Sequence, residues 1–509
     1  MGATAIRVPA VRVIAGLVRA CVVLASVASA SLAYADVPTA AAASTNTPGS
    51  NPVTTDATGA PTTFGGTNDT VAGTRSNFFT YGADVGVGYS DNITETATDK
   101  RSDEMLGVGV QVSGLDQNAR FQGAVLGDLE HVNYLQGTFS PQIIGNFAGY
   151  ASYALVPDFL HWMAQESLGE GLVDPFASES PGNLENINTI TTGPSLTLPL
   201  DALTLLTVSA RYSRVSYQVS PLDNNDYGGS LALTRLLSAR SRISFNVQSE
   251  RYEYTDPINP SYDQREAFLR YDIQGARTHI AFDAGYDQIR GHQLDSSGLL
   301  ARISASRTIA PGSVLSISAG REPSNSAAFV GQSQSVSGIG LQTTPGLQTA
   351  IPFTNEYETL GWSFNRRRTT LNITLTHYQQ IFQGQSVLDQ AITSADVRVS
   401  RILYPGWIAS LYVDYSKQSF AQQTGGYHQE HGGMNLKWQM ARKLALTFEY
   451  DRYDRNSSLA LYSFAENRVW VRLQYGTGMP NSSLGGSSSD SSVMSVAKPD
   501  PFTIPMPSH

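Results

Sequence analysis

Residues 79–90 read FTYGADVGVGYS, and this stretch decides how the rest of the chain is read. Phe79, Tyr81, Ala83, Val85, Val87 and Tyr89 alternate without a break with Thr80, Gly82, Asp84, Gly86, Gly88 and Ser90. That is the two-residue period of a β-strand, in which successive side chains point to opposite faces. One face is apolar with aromatic ends, and the other is small and polar. A strand of about 11 residues, rising about 3.3 Å per residue and tilted by about 45°, crosses the hydrocarbon layer of a bilayer. The stretch therefore has the pattern and length of a transmembrane strand, with Asp84 and the glycines facing a polar interior.

Working outward, the composition agrees. The 509 residues include 45 glycines and 24 tyrosines, with 15% charged residues and a mean hydropathy of -0.18. A transmembrane β-barrel averages out in this way because only every second strand residue meets lipid. The formal net charge of -9 argues against a nucleic-acid partner, which calls for a basic surface. No stretch reaches 18 uncharged apolar residues. The best candidate, 196–210, is interrupted by Pro199 and Asp201, so helical spans are not expected.

Residues 1–35 read as a cleaved signal peptide. Arg7, Arg12 and Arg19 precede the apolar run CVVLASVASASLA, and Ala33-Tyr34-Ala35 supplies a small-x-small cleavage site. A cut after Ala30 is an alternative. The single cysteine, Cys21, lies inside this segment, so the mature chain has no disulfide or cysteine-based zinc site. Residues 36–77 and 477–509 are rich in Ala, Ser, Thr, Gly and Pro and are expected to be disordered tails, the first a periplasmic linker.

Between them, residues 78–476 repeat one plan: a strand out, a longer polar loop, a strand back and a tight turn. The turns fall near Asp116, Pro157, Leu200, Ala239, Gly275, Pro311, Arg367, Pro405 and Arg442, in sequences suited to sharp reversals. One oversized loop is expected from Glu322 to Asn355. The strands near Phe121 and Phe159 alternate poorly. A propeller blade would pack four short strands into each repeat, whereas this sequence places two long ones. The fold expected is all-β: an up-and-down antiparallel transmembrane barrel of about 20 strands, range 16 to 22, with both termini in the periplasm.

Function would sit on the inward face. Asp84, Arg211, Glu250, Arg270, Asp272, Asp283, Asp287, Arg302, Arg321, Asp414, Lys437, Glu449, Asp451, Arg468 and Arg472 fall on or near the polar register and are the candidate lumen-lining charges. Arginines opposite carboxylates could select solutes by charge. The competing reading is that the same groups merely form ion pairs that keep the lumen polar. Tyr81, Tyr89, Tyr212, Tyr271, Tyr286, Trp407, Tyr415, Tyr450 and Tyr475 suit interfacial girdles. No HExxH, Gly-x-Ser-x-Gly or phosphate-binding glycine loop occurs. His428 and His431 are close in sequence but form no zinc motif. No enzymatic activity, metal or cofactor is expected.

Gly88-Tyr89-Ser90-Asp91-Asn92, Leu155-Val156-Pro157-Asp158, the run from Asn186 to Pro194 and Asn467-Arg468-Val469 resemble the outer-membrane β-barrel porins associated with exopolysaccharide and exosortase (PEP-CTERM) systems. The resemblance covers about Phe78 to Gly476. It implies an outer-membrane barrel in bacteria that export polysaccharide, and it brings no catalytic residues. The sequence departs from the usual barrel-assembly signal, which ends a chain at an aromatic residue, because Tyr475 is followed by residues 476–509. The expected function is a passive porin or a conduit associated with polysaccharide export. Its expected partners are outer-membrane lipid and the barrel-assembly machinery, with polysaccharide or small solutes as cargo. The rival is a structural or adhesion barrel with an occluded lumen, whose long loops bind envelope partners.

Overall fold

The computed structural model describes residues 78–476 apart from 175, 292–293, 327–347 and 422–425. The expected signal peptide and both tails lie outside the described residues. The described chain forms twenty strands. The first ten are β1 (Phe78–Ser90), β2 (Asp103–Gln117), β3 (Phe121–Tyr134), β4 (Gln142–Val156), β5 (Leu160–Leu172), β6 (Leu184–Pro199), β7 (Thr204–Tyr217), β8 (Asn224–Ser238), β9 (Ser241–Tyr254) and β10 (Tyr262–Gln274). The second ten are β11 (Thr278–Gly291), β12 (Leu294–Ala310), β13 (Ser313–Ser324), β14 (Phe353–Arg366), β15 (Thr369–Phe382), β16 (Gln390–Tyr404), β17 (Trp407–Phe420), β18 (Tyr427–Ala441), β19 (Leu444–Ser457) and β20 (Phe464–Gly476).

Each strand pairs antiparallel with its successor, and β20 returns to β1 with Val85 opposite Leu473 and Tyr89 opposite Val469. Closure leaves no open sheet edge, which a lipid environment requires because no water is present to satisfy edge backbone groups. The nine tight reversals, at 118–120, 157–159, 200–203, 239–240, 275–277, 311–312, 367–368, 405–406 and 442–443, all lie at one end. Gly312 shows why their chemistry is restricted. Its φ is +76°, and a Cβ there would sit 2.0 Å from the Asn365 carbonyl oxygen. The opposite end carries the longer connections, among them 91–102, 173–183 and 325–352. Only the β11–β12 connection is short there, with β11 ending at Gly291 and β12 beginning at Leu294.

The opening stretch occupies β1 with the faces its alternation implies. Phe79 (63% exposed), Val85 and Val87 (59%) stand outward and uncovered by protein, while Gly82, Asp84 and Gly86 are buried on the inside. The same outward row continues as Val108 and Val110, Leu231 and Leu233, Phe245 and Val247, Leu411 and Val413, and Val471 and Leu473. Aromatic rings mark both borders of this apolar band. Trp407 and Trp438 stack 5.4 Å apart at the turn end, and Tyr212 and Tyr227 meet at 5.4 Å nearer the loop end.

Besides single-residue register shifts beside five of the tight turns, the ladders are irregular between β4 and β5 and between β6 and β7. The ladder between β4 and β5 runs from Val156 opposite Leu160 only as far as Phe147 opposite Leu168, and just beyond it Gly145 adopts φ +118°. The Glu170 side chain accepts the freed Gly145 amide at 3.2 Å. Between β6 and β7 the ladder skips from Thr192 opposite Tyr212 to Ser195 opposite Ser209, because Pro194 has no N–H to donate. The oversized loop is shorter than its sequence suggests: β13 runs on to Ser324 and β14 begins at Phe353, so strand pairing consumes residues at both ends.

Candidate functional site: the inner wall

The inner wall is built from the positions that alternate with the lipid-facing rows. Its first region is where the barrel closes, from β19 through β20, β1 and β2 to β3. Here the inward positions of β1 and β2 are largely glycine: Gly86, Gly88, Gly107 and Gly109. Larger side chains from flanking strands lie flat over this floor. A Cβ at Gly86 would come within 2.6 Å of Arg472 Cγ, one at Gly88 within 2.6 Å of the Trp470 ring, and one at Gly109 within 2.4 Å of the Asp84 carboxylate. Arg472 on β20 can therefore cross two strands and donate to Glu130 on β3 at 3.1 Å, while its other terminal nitrogen meets Glu449 on β19 at 3.2 Å. Its guanidinium lies 3.9 Å over the Trp470 ring. On the same strand Arg468 pairs with Glu466 at 2.9 Å.

The second region lies on the far wall, ten strands away around the ring. Arg270 on β10 forms a two-point pair with Asp283 on β11, both bonds 2.7 Å. Arg302 on β12 donates to the same Asp283 at 2.9 Å and to Glu322 on β13 at 2.9 Å, and it lies 4.7 Å over the Phe268 ring. Asp272 meets His279 at 2.9 Å and Arg242 at 3.5 Å. Glu250 accepts the Tyr252 hydroxyl. Asp287 is buried inward, with Arg321 3.9 Å away.

Arg321 itself stands on the outward register with Leu315 and Ile317. Its guanidinium leans back over Gly298 toward the Leu299 carbonyl, and it pairs with Glu356 at 3.3 Å. Arg211, half-buried on the inner side of β7, donates to the Pro194 carbonyl at 2.7 Å and the Ala210 carbonyl at 2.8 Å. It thus occupies the gap left in the ladder by the proline.

A third cluster spans β16 to β19. Arg398 meets Asp396 at 2.8 Å and Asp414 at 3.2 Å. His431 lies between Asp414 at 3.1 Å and Asp451 at 2.9 Å and stacks on Tyr453 at 4.1 Å. The Tyr412 hydroxyl also donates to Asp451. Lys437 is buried on the inner side of β18. His428 stands on the outer face and His431 on the inner, as any two strand residues three apart must, so the pair cannot share a ligand.

At the loop end the interior becomes aromatic, a feature that escapes the alternation argument because it places large rings on the polar register. Tyr252, Tyr262, Ile289 and Leu294 pack together, and Phe353, Tyr378, Phe382 and Ile392 form a second cluster. Ile351, from the described end of the long loop, packs against both. Gln348 of that loop reaches β5, where a Cβ on Gly171 would lie 2.8 Å from its amide nitrogen. The 173–183 connection also turns inward. Phe176 meets Phe420 of β17 at 4.7 Å. Arg455 of β19 is fully buried. It lies 3.9 Å over the Tyr427 ring, donates to Gln429 at 2.7 Å and to the Ala177 carbonyl at 2.8 Å, and pairs with Glu179 at 3.4 Å. Nothing local in the sequence announces the tie of Arg455 to the loop, because Ala177 and Glu179 lie about 280 residues earlier.

A closed antiparallel barrel with an apolar outer belt and a charged inner wall is a transmembrane β-barrel of the outer-membrane type. No protein-family model and no curated protein matches the chain. Among solved structures it is similar to the siderophore receptor PirA from Pseudomonas aeruginosa, at 10% identity and a TM-score of 0.41, over 79% of this chain and 81% of that one. It is also similar to the FrpB iron transporter from Neisseria meningitidis, at 8% identity and 0.41, over 79% and 82%. A third likeness is to the copper transporter OprC, at 10% identity and 0.40, over 79% and 80%.

Proposed function

We propose that the protein is an outer-membrane channel for passive diffusion of small hydrophilic solutes, oriented with its tight turns toward the periplasm and narrowed at the loop end by the 173–183 segment. The observation that carries this reading is the contrast between outer and inner faces across the membrane-spanning part of the strands. Asp84, Arg270, Asp283, Arg302, Asp414, Glu449, Asp451 and Arg472 line the inside, while their sequence neighbours meet lipid. A wall of this kind is useful where water and solutes pass along it. The link to polysaccharide export rests on the sequence resemblance and is tested by deleting the gene and assaying secreted polysaccharide.

The second reading, a barrel with a closed mouth that serves adhesion or structure, is favoured by the loop ties at Arg455 and Gln348. Planar-bilayer recording of the refolded protein separates the two. A channel gives discrete conductance steps, and Arg455→Ala, which frees the 173–183 segment, enlarges them. A folded barrel that conducts in neither form is not a channel.

A further inference from the structure

The tight-turn end of the barrel is not uniform around the ring. At the turn 367–368 three arginines follow one another, Arg366, Arg367 and Arg368, and all are exposed. Arg366 stands opposite Thr369, and Thr369 stands opposite Arg401. Directly paired residues share a face of the sheet, so these two arginines flank a threonine hydroxyl in one outward row across β14, β15 and β16. Strands two apart are separated by about 10 Å, a gap that two arginine side chains can close on one phosphate. Arg442 and Lys443, also exposed, continue the positive charge at the turn 442–443. Residues 361–370, 397–411 and 436–446, which make up this sector, contain no Asp or Glu. The turns on the other side of the ring, from β2 to β7, instead carry the exposed carboxylates Asp116, Asp158 and Asp201.

Depth decides what this sector meets. One step along the strands from the arginine row lie Phe364, Leu371 and Val399, and the next step brings Trp362, Ile373 and Val397. The stacked Trp407 and Trp438 belong to the same sector. Such rings mark the border between hydrocarbon and headgroups. Side chains stand roughly perpendicular to a sheet, so Arg366 and Arg401 extend sideways from the wall at headgroup depth. A soluble partner approaching from the aqueous side would meet the turns, whereas lipid meets this row. The guanidinium keeps its charge at any physiological pH, and its planar fork matches a phosphate. With no carboxylate in the sector, a headgroup of net negative charge is favoured over one whose phosphate is neutralised by its own amine.

We propose that Arg366, Arg367, Arg368 and Arg401, with Thr369 between them, form a binding site on the outer wall for the headgroup of an anionic phospholipid in the leaflet beside the tight turns. The site orients the barrel's lipid shell on one side only, and it depends on the membrane-spanning fold and not on the channel reading.

The test places the refolded barrel in phosphatidylcholine bilayers containing a minor share of phosphatidylglycerol, with one lipid or the other brominated on its chains, and reads the quenching of tryptophan fluorescence. Trp362 and Trp438, both exposed on the outer face of this sector, are the reporters. Brominated phosphatidylglycerol should quench more than an equal share of brominated phosphatidylcholine, with a relative association constant of about five, the effect of one basic side chain at an anionic surface. High salt should shrink the excess. Arg366→Gln combined with Arg401→Gln should lose most of it. Arg120→Gln combined with Arg290→Gln, which removes two exposed charges from other parts of the barrel, should keep it. Equal quenching by the two lipids in the unmodified protein overturns the site, whether or not any variant folds, and would leave the basic turns to a soluble acidic partner. An excess unaltered in the folded Arg366→Gln, Arg401→Gln protein overturns it as well. Either result is independent of whether the barrel conducts.

Discussion

The closure region and the far wall solve one problem, seating arginines and carboxylates on the inside of a sheet, in different ways. On the far wall each charged side chain fills its own inward position and pairs with the adjacent strand, giving the ladder Arg270, Asp283, Arg302, Glu322. At the closure the inward positions of β1 and β2 are vacated by glycine, and Arg472 spans them to Glu130. The difference teaches that the small face of an amphipathic strand is a floor for its neighbours' side chains. A ladder with neighbouring alternatives tolerates the loss of one member. A bridge that rests on a single arginine does not.

Removing that arginine is the strongest way to test the contrast. Arg472→Ala leaves Glu130 and Glu449 buried without their shared cation, a change that costs about 3–5 kcal/mol. Urea unfolding of the refolded barrel should show this loss. A cost below that of Arg270→Ala would erase the distinction between bridge and ladder.

Filling the floor comes next. Gly107→Val puts a Cβ 1.9 Å from Glu130 Oε1, so either the sheet or the Arg472 pair must move, at about 3 kcal/mol, the upper part of the usual range for overpacking. The informative control is Gly229→Val on β8, where the only neighbour within 4 Å is the Ser209 carbonyl at 3.9 Å. If the two substitutions unfold at the same urea concentration, the glycines of β2 are not a floor.

On the far wall the expected effect is smaller. Arg270→Ala removes two hydrogen bonds from Asp283, but Arg302 still donates to that carboxylate. The cost should be about 1.5–3 kcal/mol, the worth of hydrogen bonds to a charged group. The coupling between Arg270 and Arg302 can be read from the double variant, since residues sharing one partner are not additive.

The legibility of these features in the sequence follows from range. Strand existence, turn positions and the sidedness of β1 depend on neighbours two residues away, and Phe79 to Ser90 displays them openly. Arg321 is ambiguous because it adjoins Glu322: two consecutive charged residues cannot both obey a two-residue period, and it is Glu322 that faces inward. The aromatic lining at the loop end is hidden for the opposite reason. Tyr252, Tyr262 and Tyr427 occupy inward positions where an apolar ring reads as a lapse in the pattern, and only the folded loops explain the apolar surroundings. The seat of Arg211 requires knowing that β6 presents the Pro194 carbonyl to it across a broken ladder. The bridge of Arg472 requires the closure itself, which joins residues more than 340 positions apart.

The two regions also part company at their loop ends, and there the contrast is sharpened by pH. The far wall ends in the apolar cluster of Tyr252, Tyr262, Ile289 and Leu294. The closure region ends beside Glu95, in the 91–102 connection, held at φ +52° with one carboxylate oxygen lacking a partner. Burial pushes the Glu95 carboxyl from its ordinary 4.5 up to about 8. Glu466 and Glu179 push the same way, against the pull of Arg455 and Arg468. Between these two values the folded mouth keeps a proton that an unfolded chain has released, so its stability falls as pH rises through this window and levels off above about 8. Because Glu179 belongs to the segment tied by Arg455, a second negative charge on Glu95 loosens that segment rather than the strands. Conductance should accordingly be larger or more variable at pH 9 than at pH 6 in the unmodified protein, while Glu95→Gln, neutral at both, should keep the narrow mouth throughout. An undiminished pH response in Glu95→Gln would assign the effect to another group and leave the two loop ends alike in this respect.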